Sequence, residues 1–437
     1  MAGKPVGGAD QKTPARAWAI LAVVYIASFM APMAQFKVPA LADWIIPQFL
    51  IPQVGPENVN FYFGMMMSVL SIIGVILAFP TAAIIRKLGM RMSMVVSVGA
   101  LAIGTLVCAV TDSYVVLLAG RMIEGVGIGL VGVVAPACVS IWFPDKTRGT
   151  ALGIWASWFP LGITLMFNIA PMIAAGFDWK AVYWFCIICD VVALILFLAV
   201  FRMPRMEGRP PEEASIKEGF KYLKNSKLWI LAIVFFLFNF FQLGFLNTFY
   251  NQFLMGSGLS PQLANTLTSI TTAIGIFMSP ASGIIYDRVP YKYKNIPMIV
   301  CFLMFFVSLF FAFATGDGMM TSIWVFIIVV GIGAGLGAGS LRPYAPSLVP
   351  NTALGASMVM ALLQFMQNLG AAIGSPVYGG ILDSMGWDGA NHMLLMPICI
   401  IAIILCLFVR SKKNAPQAGQ PEEAPEAPAA ADEEQSA

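Results

Sequence analysis

The chain has 437 residues, of which 59% are hydrophobic and only 11% charged, with a mean hydropathy of +0.82 and a formal charge of +3. A water-soluble fold of that length needs a charged surface, whereas here nearly every charge falls in short clusters between long apolar runs, which excludes soluble classes and leaves a polytopic membrane protein. The small positive charge is the balance of basic loops against an acidic end and gives no reason to expect a nucleic-acid partner.

A helix needs roughly 20 apolar residues to cross ~30 Å of hydrocarbon. Twelve such spans are predicted: 16–40, 61–85, 92–111, 114–143, 149–175, 180–201, 228–254, 262–286, 296–315, 321–347, 354–382 and 390–410. Period-2 alternation is missing, so the spans read as helices, not barrel strands. Residues 1–15 read as a tail, and the first span is too long for a cleaved signal peptide.

Basic loops are retained in the cytoplasm. Lys4, Lys12 and Arg16 precede the first span, Arg86, Lys87 and Arg91 follow the second, and Lys146 and Arg148 follow the fourth. Residues 202–227 carry seven bases, from Arg202 to Lys227; Arg288, Lys292, Lys294, Arg410, Lys412 and Lys413 come later on the same side. Only Lys180 and Lys37 fall toward the other. Both ends are therefore expected in the cytoplasm, and the protein in the plasma membrane. The 202–227 link separates an N-terminal bundle, 16–201, from a C-terminal bundle, 228–410, and residues 411–437 read as a disordered acidic tail.

The two halves repeat. A shift of 206 residues lays Gly125, Gly127, Gly129, Leu130, Pro144 and Gly149 on Gly331, Gly333, Gly335, Leu336, Pro350 and Gly355. A six-plus-six parallel repeat is a transporter arrangement. Gly127, Gly129 and Gly132 also spell G-x-G-x-x-G, but a dinucleotide site needs a strand before it. Inside an apolar helix such glycines let backbones approach, and GIGAGLGAGS, Gly331 to Ser340, is read in the same way.

WFPDKTRGTALG, Trp142 to Gly153, resembles the loop after helix 4 in the major facilitator superfamily. Arg121 with Gly125, Gly127 and Gly129 is similar to that family's helix-4 pattern, and Gly283, Asp287 and Arg288 resemble its G-x-x-x-D-R turn. The first-half copy, Ala82, Arg86, Lys87, Gly89 and Arg91, has Arg86 where the family has Asp. The resemblance implies an all-α membrane protein of twelve helices in two pseudo-repeated six-helix bundles that rock about a midplane site. It also implies a gating role for Arg86, Lys87, Asp287 and Arg288.

Charges inside a span are costly, so Lys37, Arg121, Glu124, Asp190 and Arg342 are candidates for function. Arg121 and Glu124, three apart, share a helix face and read either as an internal ion pair or as an anion-binding and coupling couple. Asp190 reads as a satisfied acid or a second coupling group. Arg342 reads as a gate residue or as a base reaching for the interface. Lys37, flanked by Pro32 and Pro39, reads as a headgroup lysine or as a solute-binding cation; several organic-anion carriers of the resembling family have a basic residue in helix 1. Gln364 and Asn368 share a face, and Asn239, Gln242, Asn247 and Asn251 run down the seventh span, as a polar pathway requires.

Enzyme readings find no support. His392 is the one histidine, Cys186 and Cys189 lack a second pair of ligands, and no phosphate loop is present, so neither metal nor cofactor is expected. The expected function is a secondary active transporter, acting as a monomer on a small organic anion by proton symport or exchange. An exporter of drugs is the alternative, although Ala170 precedes Pro171 where such exporters have a glycine. A membrane sensor on a transporter scaffold is the third reading.

Overall fold

The computed structural model describes residues 14–202, 220–349 and 353–409. Lys4, Lys12, Arg205, Arg209, Lys217, Pro350, Arg410, Lys412 and Lys413, and the tail expected over 411–437, lie outside them.

Among the described residues the regular elements are all helices. The apolar runs form α1 (Ala15–Ala40), α2 (Val59–Leu77), α3 (Thr81–Val110), α4 (Tyr114–Ser140), α5 (Trp158–Gly176) and α6 (Trp179–Val200). The second half gives α7 (Ser226–Gly256), α8 (Pro261–Arg288), α9 (Ile296–Ala312), α10 (Met319–Tyr344), α11 (Ala353–Ala390) and α12 (Met396–Phe408). A short helix, Asp145–Ala156, leads into α5. Gly89 and Gly386 break α3 and α11 with φ of +78° and +68°, a region that a Cβ makes costly. Residues 81–88 therefore prolong the second span, and Gly386 turns the chain toward the twelfth.

α1 to α6 pack into one bundle and α7 to α12 into another. Val115, Ile188, Phe310 and Phe408 point outward and are exposed, as a lipid-facing surface requires. The chain is an integral membrane protein built on twelve apolar helices.

The glycine repeat has a geometric counterpart. A Cβ on Gly125 would meet Leu70 of α2, and one on Gly331 would meet Thr271 and Ile274 of α8. Gly127 lies against Ser97 and Leu101 of α3, and Gly333 against Met304 and Phe305 of α9. Gly129 returns to α2 and Gly335 to α8. α4 and α10 thus use matching glycines to approach matching neighbours, which is the packing role expected of them. Gly132 differs: a Cβ there would make ordinary van der Waals contact, at 3.8 Å, with Gln364 of the other bundle.

Residues 42–54, which no span covers, fold as two short helices around a π-helical turn, Ile46–Leu50. Ile45, Phe49 and Leu50 are buried, and the Phe49 ring lies 5.7 Å from that of Trp179. The Gln53 side-chain oxygen accepts the Tyr114 N–H at 2.7 Å, satisfying one of the donors left open at the start of α4.

Candidate functional site

The bundles are joined by hydrogen bonds at the end away from the basic loops. Asn251 of α7 donates to the Pro39 carbonyl at 2.7 Å, and Asn265 of α8 donates to that of Ala40 at 2.9 Å. The Asp383 carboxylate of α11 accepts from the Asn60 backbone and side chain at 3.1 and 2.8 Å, and from the Phe61 N–H at 2.8 Å. It thereby caps the first turn of α2 from the opposite bundle, where the helix dipole favours an anion. Asn168 of α5 bonds Thr266 and Ser269 of α8 at 2.7 and 3.0 Å.

From the middle of the molecule toward the basic face the two bundles enclose a cavity of about 390 Å³. Its amides are Gln35 from α1 and Asn239, Gln242, Asn247, Gln364, Gln367 and Asn368 from α7 and α11; Thr271, Thr272 and Ser279 of α8 add hydroxyls, and the apolar wall includes Trp155, Trp158 and Phe159. Among the described residues Arg342 of α10 is the one charged residue of the lining. Its Nη2 donates to the Gln367 side-chain oxygen at 2.8 Å, and its guanidinium lies 5.9 Å over the Phe235 ring.

α7 reaches the cavity in an irregular way. Residues Phe240–Leu246 form a π-helical segment, and Gly244 there faces Gly374 of α11, where a Cβ would come within 2.8 Å of the neighbouring Cα. The wider turn changes the phase of the helix. Asn239, Gln242 and Asn247, before, within and after that segment, line the cavity, while Asn251, one turn further along, bonds the closed end.

The intramembrane charges of the first half form a separate cluster. Lys37 pairs with the Glu124 Oε1 atom and donates to Thr105 Oγ1 at 3.0 Å, with its ammonium 4.7 Å from the centre of the Tyr183 ring. Thr105 in turn donates to Glu124 at 2.7 Å. Arg121 bonds the other carboxylate oxygen at 2.7 Å and the carbonyls of Ala34, Gln35 and Met66 at 2.7, 3.0 and 3.1 Å. The side chains of Lys37, Arg121 and Glu124 are all fully buried.

This arrangement corrects the expectations for Lys37: it stands neither in the headgroup layer nor in the cavity wall, because a carboxylate 87 residues away holds it inside the bundle. Arg121 is likewise outside the lining, its donors being spent on carbonyls and Glu124. Asp190 is not satisfied as expected; it is 2% exposed and its Oδ2 has no partner among the described residues. Arg342 lines the cavity with its side chain exposed. Asn239, Gln242, Gln364 and Asn368 come together there. Arg86, Lys87, Asp287 and Arg288 are exposed at the basic face. Gln35, Gln367 and Asp383 escaped the sequence reading. Gln367 lies one helical turn from Gln364 and carried a legible signal; Gln35 and Asp383 had none.

His392 is exposed, the seven cysteines are free, and no group of acids, cysteines and histidine among the described residues could hold a metal.

The sequence profile of the Major Facilitator Superfamily matches residues 17–359. A hexuronate transporter of Bacillus subtilis (strain 168) is 25% identical over 322 residues, covering 69% of this chain and 75% of that one. A glycerol-3-phosphate transporter of the same organism is 23% identical over 359 residues, covering 75% and 77%. The crystal structure of a D-xylose-proton symporter superposes with a TM-score of 0.71 at 16% identity, covering 90% of this chain and 97% of that one, which establishes likeness of fold alone. With its profile match, its repeated bundles and a polar cavity between them, the chain is a member of the Major Facilitator Superfamily, a membrane transporter of small molecules and not an enzyme.

Proposed function

We propose that the protein is a secondary active carrier of a small organic anion, working by alternating access in the cell membrane with both ends in the cytoplasm. The observation that carries the anion reading is Arg342, among the described residues the single charged group in the lining of a cavity shared by both bundles. A cationic drug would meet that guanidinium with no carboxylate to offset it, which weighs against the exporter reading. The names of the hexuronate and glycerol-3-phosphate transporters point the same way.

With basic loops on the cytoplasmic side, the closed end is outward and the cavity faces inward. Arg86, Lys87, Asp287 and Arg288 then belong to the inner gate, open in this state. Asn239, Gln242, Gln364 and Asn368 bind polar groups of the solute. Lys37, Arg121 and Glu124 support the bundle from within, and proton coupling falls to Asp190, whose free oxygen can exchange a proton; anion exchange would need neither acid.

The test is counterflow of a radiolabelled organic anion in proteoliposomes holding the purified monomer. Saturable, self-inhibited uptake is expected. Binding without flux would favour the sensor reading.

A further inference from the structure

Resting on the anion reading, the cavity chemistry goes further: we infer that the solute is a polyhydroxylated monocarboxylate, a sugar acid, with its carboxylate on Arg342 and its hydroxyls on amides from both bundles.

The anchor is directional. A guanidinium presents five N–H donors in a rigid fork. Arg342 makes one hydrogen bond to a described residue, through Nη2 to Gln367. Pinned at that edge and lying over Phe235, it offers its other edge to a carboxylate in the bidentate geometry that Arg favours.

The charge count selects among anions. Among the described residues the lining holds one cation and no second base, so a dicarboxylate would bring a second negative charge that no base of the lining answers. A phosphate ester at neutral pH, with close to two charges, meets the same shortfall. A neutral sugar would leave the guanidinium unanswered, and an unpaired polar group is what lets a site reject such an analogue.

The amides select among monoanions. The side chains of Gln35, Gln242 and Gln364 line the cavity and make no hydrogen bonds to described residues. Asn239 and Asn368 spend their NH2 groups on the Phe235 and Gln364 carbonyls at 2.7 and 2.9 Å, leaving their side-chain oxygens to accept. Whole amides need a partner that both donates and accepts, and a hydroxyl does both. An apolar acid would bury these groups unpaired. Trp155 and Trp158, whose rings stack at 5.5 Å, also line the cavity and give it an aromatic, apolar side. The volume of about 390 Å³ falls in the range of small-molecule sites.

The experiment is thermal unfolding of the purified full-length protein with D-gluconate, D-glucuronate, lactate, D-glucose, succinate, inorganic phosphate or tetraphenylphosphonium. A bound ligand raises the midpoint in proportion to its occupancy of the native state. At least one sugar acid should raise it, at roughly a hundredfold lower concentration than D-glucose, lactate or succinate. Arg342→Gln should weaken sugar-acid binding roughly tenfold or more, with Arg342→Lys intermediate. Gln364→Ala should weaken binding of the sugar acid while leaving that of lactate unchanged; it supplies the readout should Arg342→Gln not fold. Succinate or phosphate binding more tightly than either sugar acid, or lactate binding as tightly, overturns the sugar-acid inference and leaves the anion reading standing. A shift with tetraphenylphosphonium alone overturns both. No shift with either sugar acid at millimolar concentration overturns the inference.

Discussion

Lys37 on α1 and Glu124 on α4 form an ion pair in which neither side chain is exposed, and the same carboxylate holds Arg121 through its second oxygen at 2.7 Å. One acid therefore serves two buried bases. Removing one partner of a buried pair leaves an uncompensated charge and costs about 3–5 kcal/mol, more than removing both together. Glu124→Gln and Lys37→Gln should each lower the thermal unfolding midpoint strongly. The double variant should lose less than the sum, because the two residues share one interaction. A Glu124→Gln protein as stable as the wild type but unable to transport would move this cluster from bundle support into the transport step.

The repeated glycines make a contrast within one helix pair. A Cβ on Gly127 would lie 2.5 Å from the Ser97 carbonyl oxygen, and Gly104 is as tightly held, 2.6 Å from that of Gly120. Gly149 has nothing within 4 Å. Gly127→Ala should therefore cost roughly 1–3 kcal/mol through forced separation of α3 and α4. Gly149→Ala should be neutral or slightly stabilising, since alanine is the better helix residue. Expression level and unfolding midpoint in detergent report both, and a stable Gly127→Ala would mean that the helices have room to part.

The fold was legible because lipid imposes a long apolar run on each span, and such runs survive any detail of packing. Gly125, Gly127 and Gly129 were legible for the same reason: close approach leaves only glycine. The site was legible in part. Gln364 and Asn368 lie one turn apart on α11, so regular periodicity brought them to one face. Asn251 lies one turn past Asn247 on α7 and meets the closed end, because depth along the span, not residue type, decides which amide reaches the cavity. Lys37 was misjudged because its distance along α1 says how deep it lies but cannot name Glu124, 87 residues away, as its partner. Asp383 is an ordinary acid near a helix end until α2 from the other bundle meets it.

That meeting predicts a latch. Asp383 accepts three hydrogen bonds at the start of α2, all of which must break when the closed end opens. Asp383→Ala should raise the population open at that end about tenfold, the equivalent of roughly 1.4 kcal/mol, a discounted value for a half-buried group that water can replace. A cysteine in place of Thr272, a residue of the cavity wall, provides the readout with a membrane-impermeant maleimide added outside. Faster labelling in the Asp383→Ala background is expected. Unchanged labelling would assign the closure to Asn251, Asn265 and Asn168 alone.

The last prediction concerns Asp190 on α6. The carboxyl is 2% exposed, one of its oxygens has no partner among the described residues, and it lies within electrostatic reach of Lys37 and Glu124. Glu124 has both oxygens in ion pairs, whereas Asp190 has an oxygen with no partner among the described residues and can take a proton there without weakening an ion pair of its own. Lys37 pairs with Glu124 and acts electrostatically on Asp190, which couples the acids: a proton gained at Asp190 leaves the ammonium answered by Glu124 alone. Asp190→Asn mimics the protonated form in shape and hydrogen bonding. It should fold, bind solute with unchanged affinity, and lose stimulation of uptake by an inward proton gradient while retaining counterflow. Thermal shift measures the first two properties, and uptake in proteoliposomes with and without a pH gradient measures the third. If wild-type uptake ignores the gradient and responds only to anion loaded on the far side, exchange replaces symport and Asp190 has no part in coupling. If the gradient drives both proteins equally, the proton travels elsewhere, and Glu124 becomes the acid to test despite its two partners.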